Sequence, residues 1–430
     1  MSIRIVMFSA LFGVSLPATA ADPADLPPLP AVTAALAGHP SVRAAQAGIR
    51  AEEAGLARQV AGPYETSVRV IGQQRRVDDI DQRYNEWAVG LERQLRLPGK
   101  ARLDEELGRE GVSQAQIAYG DAMHEASRAL LKGWFAWQRE AAQSLQWQAQ
   151  ADVLKQQAEA VAKRLGAGDA SRMEQTLAQA ALAQAQAAAA QARGRERAAA
   201  AEFAVGFPLI ALPREPLVAD PQPPQGDQGY WTEKILAHSH ELGVARAEAR
   251  RVRVSAARAE ADRLPDPTAG IHYASEFAGN ERIVGISLSI PFSGAARSAD
   301  ARQAQARAEA AADREAAVLR KIESEAAVAY SLSRSAHDNW QNLQAAAEQF
   351  ERGAAMTARA YALGEGGLTE VLTARRQAIE ARLAATVARV DAAEARYRLM
   401  LDAHQLWPLH HEDDESGGGA PTAGSGTAIR

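Results

Sequence analysis

The chain has 430 residues, a formal net charge of −5 at pH 7 and no cysteine. Its basic residues are interspersed with acidic ones, which argues against nucleic acid as a partner, because phosphate binding needs a concentrated basic face. The missing cysteine excludes disulfides and a lipid attached through cysteine. Aromatic residues make up 5% of the chain, and alanine dominates the apolar fraction. This composition favours long helices packed side by side over a thick globule.

The beginning of the sequence predicts export from the cytoplasm. Arg4 precedes an apolar run over residues 5–16, and Ala18-Thr19-Ala20 forms a small-residue cleavage site. Residues 1–20 are therefore predicted to be a secretory signal peptide. The Pro-rich residues 21–30 are predicted to be an extended lead.

The rest of the chain repeats one pattern at a distance of about 200 residues, a period that indicates duplicated domains. Each copy has a helical segment, two alternating segments and a long Ala-rich helical stretch broken by a Gly-rich turn. The copies are residues 31–207 and 230–407, with a Pro-rich linker at 208–229. Two alignments support the duplication: 89–102 with 284–297, and 165–171 with 363–369.

The first repeat predicts a helix over 31–60, strands over about 65–75 and 86–96, and a helical hairpin over about 100–205. The second predicts a helix over 231–263, strands over about 268–277 and 283–291, and a hairpin over about 295–406. A helix of such length spans roughly 100 Å and needs equally long partners. The acidic and then Gly-rich tail, residues 408–430, is predicted to be disordered.

The strands have one apolar and one polar face, the weak signal of an outer-membrane barrel. Two strands per repeat are too few to close a barrel. An open edge in lipid would leave backbone groups without partners, so several copies of the chain must contribute strands to one barrel.

Three segments resemble a known family. Ala360-Tyr361-Ala362-Leu363-Gly364, followed by Thr369-Glu370-Val371-Leu372-Thr373-Ala374, is similar to the Tyr-x-x-Gly turn and the Val-Asp-Val-Leu-Asp-Ala stretch of the TolC family of outer-membrane efflux channels. Within that family, residues 94–102 are most similar to the opening of the long helix in the CzcC-like heavy-metal branch.

The resemblance implies a mostly α, α+β membrane protein with four β-strands and long coiled hairpins. Three protomers would form a homotrimer with a 12-stranded β-barrel in outer-membrane lipid and an α-barrel in the periplasm of a Gram-negative bacterium. It also implies two partners, a periplasmic adaptor (membrane fusion) protein and an inner-membrane RND-type pump.

The predicted function is a passive outer-membrane duct of a tripartite efflux system, with heavy-metal cations as cargo. One alternative is a drug-efflux or type I protein-secretion channel. A different class of protein, a soluble periplasmic coiled-coil scaffold, would explain the Ala-rich helices but has no use for apolar-out strands.

The resemblance also implies a gate. Glu370 matches the first acidic position of a carboxylate ring at the periplasmic aperture, although Thr373 replaces the second acid; the alternative is an ordinary glutamate in the first turn of a helix. Tyr361 matches a tyrosine that helps to hold the aperture shut, but Gly366 stands where its Arg partner is expected. The alternative for Tyr361 is simple packing between helices.

The two hairpin turns are predicted to form the tips that dock the adaptor. The residues concerned are Leu165, Gly166, Gly168, Ser171, Leu363, Gly364, Gly366, Leu368 and Thr369.

The sequence has no nucleophile–base pair, no Gly-rich phosphate loop and no His/Asp set at metal-ligand spacing. It therefore predicts no enzyme activity, no cofactor and no resident metal. His410 and His411, which precede four acidic residues, leave open a metal-binding tail, against the alternative of a disordered acidic terminus.

Overall fold

The computed structural model describes residues 25–407. The predicted signal peptide and the predicted tail with His410 and His411 lie outside the described residues. The chain forms eight α-helices and four β-strands within the described part, arranged as two copies of the order helix, helix, strand, strand, helix, helix.

The helix that the sequence predicts at the start of each repeat is two helices. Helices α1 (Leu29–Gly38) and α2 (Pro40–Ala61) are separated by His39, whose backbone is extended at φ −66° and ψ 135°. A proline disfavours helical geometry in the residue before it, so Pro40 ends α1 and begins α2. Helix α1 also begins inside the predicted Pro-rich lead, because proline is compatible with the first turn of a helix.

The second repeat has the same break. Helices α5 (Gln228–His238) and α6 (His240–Ala261) meet at Ser239, and the Ser239 hydroxyl accepts a hydrogen bond from the Leu242 N–H at 3.2 Å. A serine cap ends one helix and begins the next without any proline, which is why the periodicity of the sequence did not reveal the break.

The strands are β1 (Ser67–Val77), β2 (Gln82–Gln94), β3 (Thr268–Glu276) and β4 (Glu281–Ser289). They form one antiparallel sheet in chain order, so β1 and β4 are its edges. Strand β2 begins earlier than the predicted residue 86. The acidic segment between β1 and β2 is a tight turn closed by Asp81 at φ +46°, which allows Val77 to pair with Gln82.

The sheet has one apolar and one polar face. Val68, Leu91, Ile271 and Ile286 stand side by side across the four strands. All four are exposed, and Ile286 is 87% exposed. On the opposite face Arg69 pairs with Glu92, and Arg75 with Glu86 and Glu276.

The hairpins consist of α3 (Pro98–Gly166) with α4 (Arg172–Gly206), and α7 (Ala295–Ala362) with α8 (Leu368–Asp402). Helix α3 has 69 residues and α7 has 68. Their lengths are about 100 Å at 1.5 Å per residue. Buried alanines at Ala178, Ala185, Ala189 and Ala192 let α4 lie close to its neighbours. None of the helices within residues 25–407 combines the length and the hydropathy needed to cross a bilayer.

The large apolar side chains are concentrated midway along α3. Leu130, Trp134 and Phe135 pack there with Phe203 and Tyr397, and residues from α1 complete the cluster. The Pro-rich linker packs across this region. Gln138 exchanges two hydrogen bonds with the Leu217 backbone, and Asp220 pairs with Arg389 at 3.1 Å.

Candidate functional site

The two hairpin turns have the same backbone hydrogen bonds. The Asp169 N–H donates to the Arg164 carbonyl in the first turn, and the Glu365 N–H donates to the Ala360 carbonyl in the second. Gly168 at φ +86° and Gly364 at φ +81° adopt the left-handed conformation that closes each helix.

This geometry corrects the alignment of the turns. The sequence paired Leu165 with Leu363 because each precedes a glycine. In the structure Gly168 is equivalent to Gly364, so Leu165 corresponds to Tyr361 and Ser171 to Gly367. The backbone conformation, and not the Leu-Gly pair, determines the register.

The corrected register gives Glu370 a counterpart in the first repeat. Ser171 caps α4, its hydroxyl accepts from the Glu174 N–H at 3.1 Å, and the Glu174 carboxylate accepts from the Ser171 N–H at 2.7 Å. Glu174 therefore occupies the position of Glu370. Gly367 has no side chain, so only the return bond forms in the second turn, from the Gly367 N–H to the Glu370 carboxylate at 3.4 Å.

Glu174 links the two hairpins through Tyr361. The Tyr361 hydroxyl donates to the Glu174 Oε1 atom at 3.2 Å, and the Arg164 guanidinium lies 4.9 Å from the centroid of the Tyr361 ring. The arginine near Tyr361 thus comes from the end of α3, and not from the segment after its own turn. The sequence did not identify Arg164 or Glu174 as site residues; the Ser-x-x-Glu capping pattern at 171–174 was the available signal.

The electrostatics of this contact favour a neutral phenol against an ionised carboxylate. Burial raises the pKa of Tyr361, with Arg164 opposing and Glu174 adding to the shift. The backbone N–H of Ser171 lowers the pKa of Glu174, and the hydrogen bond from Tyr361 lowers it further. At neutral pH the Tyr361 hydroxyl is therefore a donor to a charged acceptor, which makes this a strong type of hydrogen bond.

The remaining predicted tip residues differ in accessibility. Leu368 is 3% exposed and packs with Val161, Ala178 and Tyr361. It therefore belongs to the packing beneath the tip within a single chain. The exposed members are Gly166, Gly168, Ser171, Leu363, Gly364 and Thr369, whereas Leu165 and Gly366 are half-buried.

Glu370 is exposed at the beginning of α8. The residues that follow it do not form an acidic surface: Thr373 is uncharged, and Arg375 and Arg376 come next. Within residues 25–407 there is no group of three or more His, Asp or Glu residues arranged to hold a metal ion.

We expect Ser171→Ala to destabilise the first turn of α4 by about 1 kcal/mol, because it removes a helix cap. Gly367→Ser is the matched change in the second turn. Its backbone, at φ −92° and ψ 151°, accepts a side chain, and serine would complete the reciprocal cap. Hydrogen exchange in the first turn of α4 should therefore accelerate in Ser171→Ala. Exchange in the first turn of α8 should slow in Gly367→Ser. Exchange rates in both variants equal to those of the unaltered protein would contradict the assigned caps.

Comparison with known proteins gives one family match and several structural matches. Residues 231–401, which cover the second repeat, match the model of the family described as "Outer membrane efflux protein". Among proteins with curated functions, none matches the chain.

Three solved structures have the same fold. The CmeC outer membrane channel of Campylobacter jejuni is 14% identical with a TM-score of 0.73, covering 90% of this chain and 87% of that one. CusC, described in terms of transmembrane channel formation, is 15% identical with a TM-score of 0.72, covering 87% and 91%. The outer membrane protein VceC of Vibrio cholerae is 17% identical with a TM-score of 0.71, covering 87% and 95%. The described chain therefore has the fold of outer-membrane channels, with four antiparallel strands and long helical hairpins.

Proposed function

We propose that the protein is an outer-membrane channel of a tripartite efflux system in a Gram-negative bacterium. It conducts substrates passively and performs no covalent chemistry. Three copies form the channel, and a periplasmic adaptor and an inner-membrane pump of the RND type deliver the substrate. The family match of the second repeat and the fold of the whole described chain support this proposal.

The observation that carries the proposal is the sheet. Its apolar rows are exposed, and its edge strands β1 and β4 have unpaired backbone groups. In lipid such edges must be paired, and pairing β4 of one copy with β1 of the next closes a barrel. Three copies contribute twelve strands, and the polar face with Arg69, Arg75 and Glu92 then lines a water-filled bore.

Reconstitution tests the channel directly. The purified protein in planar bilayers should give discrete openings, and cell fractionation should place it in the outer membrane. Recovery of a water-soluble monomer, free in the periplasm and without channel activity, would instead favour the soluble coiled-coil scaffold.

The cargo is proposed to be heavy-metal cations. The support is the similarity of residues 94–102 to the heavy-metal branch and the exposed Glu370, which would give three carboxylates around the axis of a trimer. Arg375 and Arg376 would weaken the attraction of such a ring for cations. A deletion strain should lose tolerance to zinc, cobalt, cadmium, copper or silver. Unchanged metal tolerance with increased drug sensitivity, or with a lost secreted protein, would favour the alternative channels.

The proposed gate lies at the tips, where Tyr361 contacts Glu174 and Arg164. We expect Tyr361→Phe to raise the opening frequency of the channel about twofold to tenfold, because each copy loses one partly exposed hydrogen bond to a charged group. Single-channel recording measures this. Tyr230→Phe is the control, because it removes a hydroxyl that accepts from Gln405 at 3.0 Å, away from the tips. Equal opening frequencies in Tyr361→Phe and the unaltered protein would show that this contact is not part of the gate.

A further inference from the structure

Four of the nine histidines in the chain meet where four helices come together. His124 lies on α3, His238 ends α5, His240 begins α6, and His404 follows α8. The His404 ring is at the centre of this histidine cluster. It stacks on His124 with centroids 5.3 Å apart and on His238 at 5.3 Å, and His240 lies 4.9 Å away.

The local backbone is shaped around these rings. A Cβ atom at residue 120 would lie 2.6 Å from the His240 ring, so Gly120 leaves the space that the imidazole occupies. His404 adopts φ +56°, a left-handed conformation that is uncommon for a side-chain-bearing residue and places it just beyond the end of α8. The cluster is therefore a specific packing arrangement.

Charged groups face the cluster from every neighbouring helix. The His124 Nε2 atom lies 3.3 Å from the Leu401 carbonyl and 3.6 Å from the Asp402 carboxylate, and the His238 Nδ1 atom lies 2.9 Å from the Lys234 carbonyl. The carboxylates of the surroundings are Asp121, Glu125, Glu241, Glu325 and Asp402. The cations are Arg128, Lys321 and Arg398, and the Lys234 ammonium lies over the Tyr230 ring.

The ring geometry fits neutral imidazoles better than metal ligands. A metal ion lies in the plane of each imidazole that binds it. His404 is nearly parallel to both stacked rings, at 18° to His124 and 28° to His238, so the three cannot direct nitrogen atoms at one ion between them. Stacked rings tolerate little positive charge, because like charges at about 5 Å repel strongly in a partly buried site.

We propose that the four histidines form a pH-responsive joint that releases the end of α8 from α3 and from the α5–α6 corner when the cluster becomes protonated. The neutral stack holds the end of α8 in place at neutral pH. Protonation of two or more rings introduces mutual repulsion, and the end of α8 is the element that can separate. This inference concerns the folded chain and holds whether or not the protein is an efflux channel.

The electrostatics of the most buried ring give the sign of the effect. His124 is 7% exposed, and burial, followed by the nearby Arg128, lowers its pKa; Asp402 and Glu125 oppose the shift. The folded state therefore favours the neutral ring. The stabilisation is fully present above the ordinary imidazole pKa of about 6.5 and is lost as the pH falls from there through the lowered folded-state value.

Hydrogen exchange of the full-length protein in detergent at pH 7.5 and pH 5.5 tests the joint, after correction for the intrinsic pH dependence of exchange. We expect exchange at the end of α8 and at the α5–α6 corner to accelerate at pH 5.5 by up to about tenfold for each ring that takes up its proton only when the joint opens, because pH 5.5 lies one unit below the ordinary imidazole pKa of about 6.5. His404→Asn should remove most of this acceleration, because asparagine tolerates a positive φ but does not titrate.

If His404→Asn folds poorly, His238→Gln provides a second variant at an exposed position of the cluster. We expect it to weaken the acceleration. His272→Gln, a histidine on the polar face of the sheet, is the control and should leave the acceleration unchanged. The same acceleration in the unaltered protein and in both cluster variants, or acceleration spread evenly over the chain, would overturn the proposal.

Discussion

A Lys100→Met variant should lose about 3–5 kcal/mol of its free energy of unfolding, the largest effect that we expect from a single side chain in this protein. Lys100 is 2% exposed at the start of α3. Its ammonium lies 3.1 Å from the Asp262 carboxylate and 3.0 Å from the Asp266 carboxylate, and donates to the Leu264 carbonyl at 2.6 Å. Without the lysine, Asp266 would be a buried carboxylate that has lost its counter-ion.

The loss should be large because Asp266 joins several parts of the chain. It accepts hydrogen bonds from the Tyr64 hydroxyl at 2.6 Å and from the Leu97 N–H at 3.2 Å. Burial alone would raise the pKa of Asp266, but the bonds from Tyr64 and Lys100 outweigh burial and lower it. Burial and Asp266 raise the pKa of Tyr64 to about 12. The contribution of Asp266 is therefore present above the ordinary aspartate pKa of about 3.9 and is lost as the pH falls below it.

Arg102→Met is the matched control, because it removes a cation two residues further along α3. Arg102 pairs with Glu106 with the two side chains 73% and 45% exposed, and such a pair contributes at most about 0.5 kcal/mol. Urea unfolding in detergent micelles at pH 7.5 should therefore shift strongly in Lys100→Met and little in Arg102→Met. A shift below 1 kcal/mol in Lys100→Met would mean that water or another cation compensates Asp266.

The second large effect is expected on the sheet. Ile286→Arg should destabilise the assembled channel by about 2–4 kcal/mol per copy, since it places a guanidinium in the middle of the apolar face that we propose to contact lipid. Ser287→Arg is the control, because the neighbouring residue points to the polar face. The yield of trimers folded into lipid bilayers should fall for Ile286→Arg and stay near that of the unaltered protein for Ser287→Arg. A lower yield for Ser287→Arg than for Ile286→Arg would mean that the face with Ser287 contacts lipid and the face with Ile286 lines the bore.

The sequence predicted the class of fold because its strongest signals are periodic. Alternation at Val68, Val70, Val89 and Leu91 identified the strands, and unbroken Ala-rich runs identified the long hairpins. The fold of the described residues is as expected, four strands and two long hairpins in a duplicated order. The break at Ser239 was not predicted, because it interrupts a continuing helical pattern at a single residue.

The candidate site was harder to predict because it depends on contacts between distant segments. Tyr361 could be identified from the turn that contains it, but its contacts, Arg164 and Glu174, lie 197 and 187 positions away in the sequence. The register of the two turns depends on which glycine adopts a positive φ, a backbone property that the Leu-Gly pairs did not reveal. The histidine cluster could not be predicted for the same reason, since no local pattern links His124 to His404.

The edge strands of the sheet come from different repeats, β1 from the first and β4 from the second. Every seam between neighbouring copies would then join unlike surfaces, and such head-to-tail contacts either close into a ring or continue into an open polymer. A newly folded copy that has not yet assembled with its neighbours has two edge strands without partners and an exposed apolar face. We therefore expect the danger of aggregation to be greatest between folding and assembly, so that synthesis in excess of insertion should yield insoluble chains.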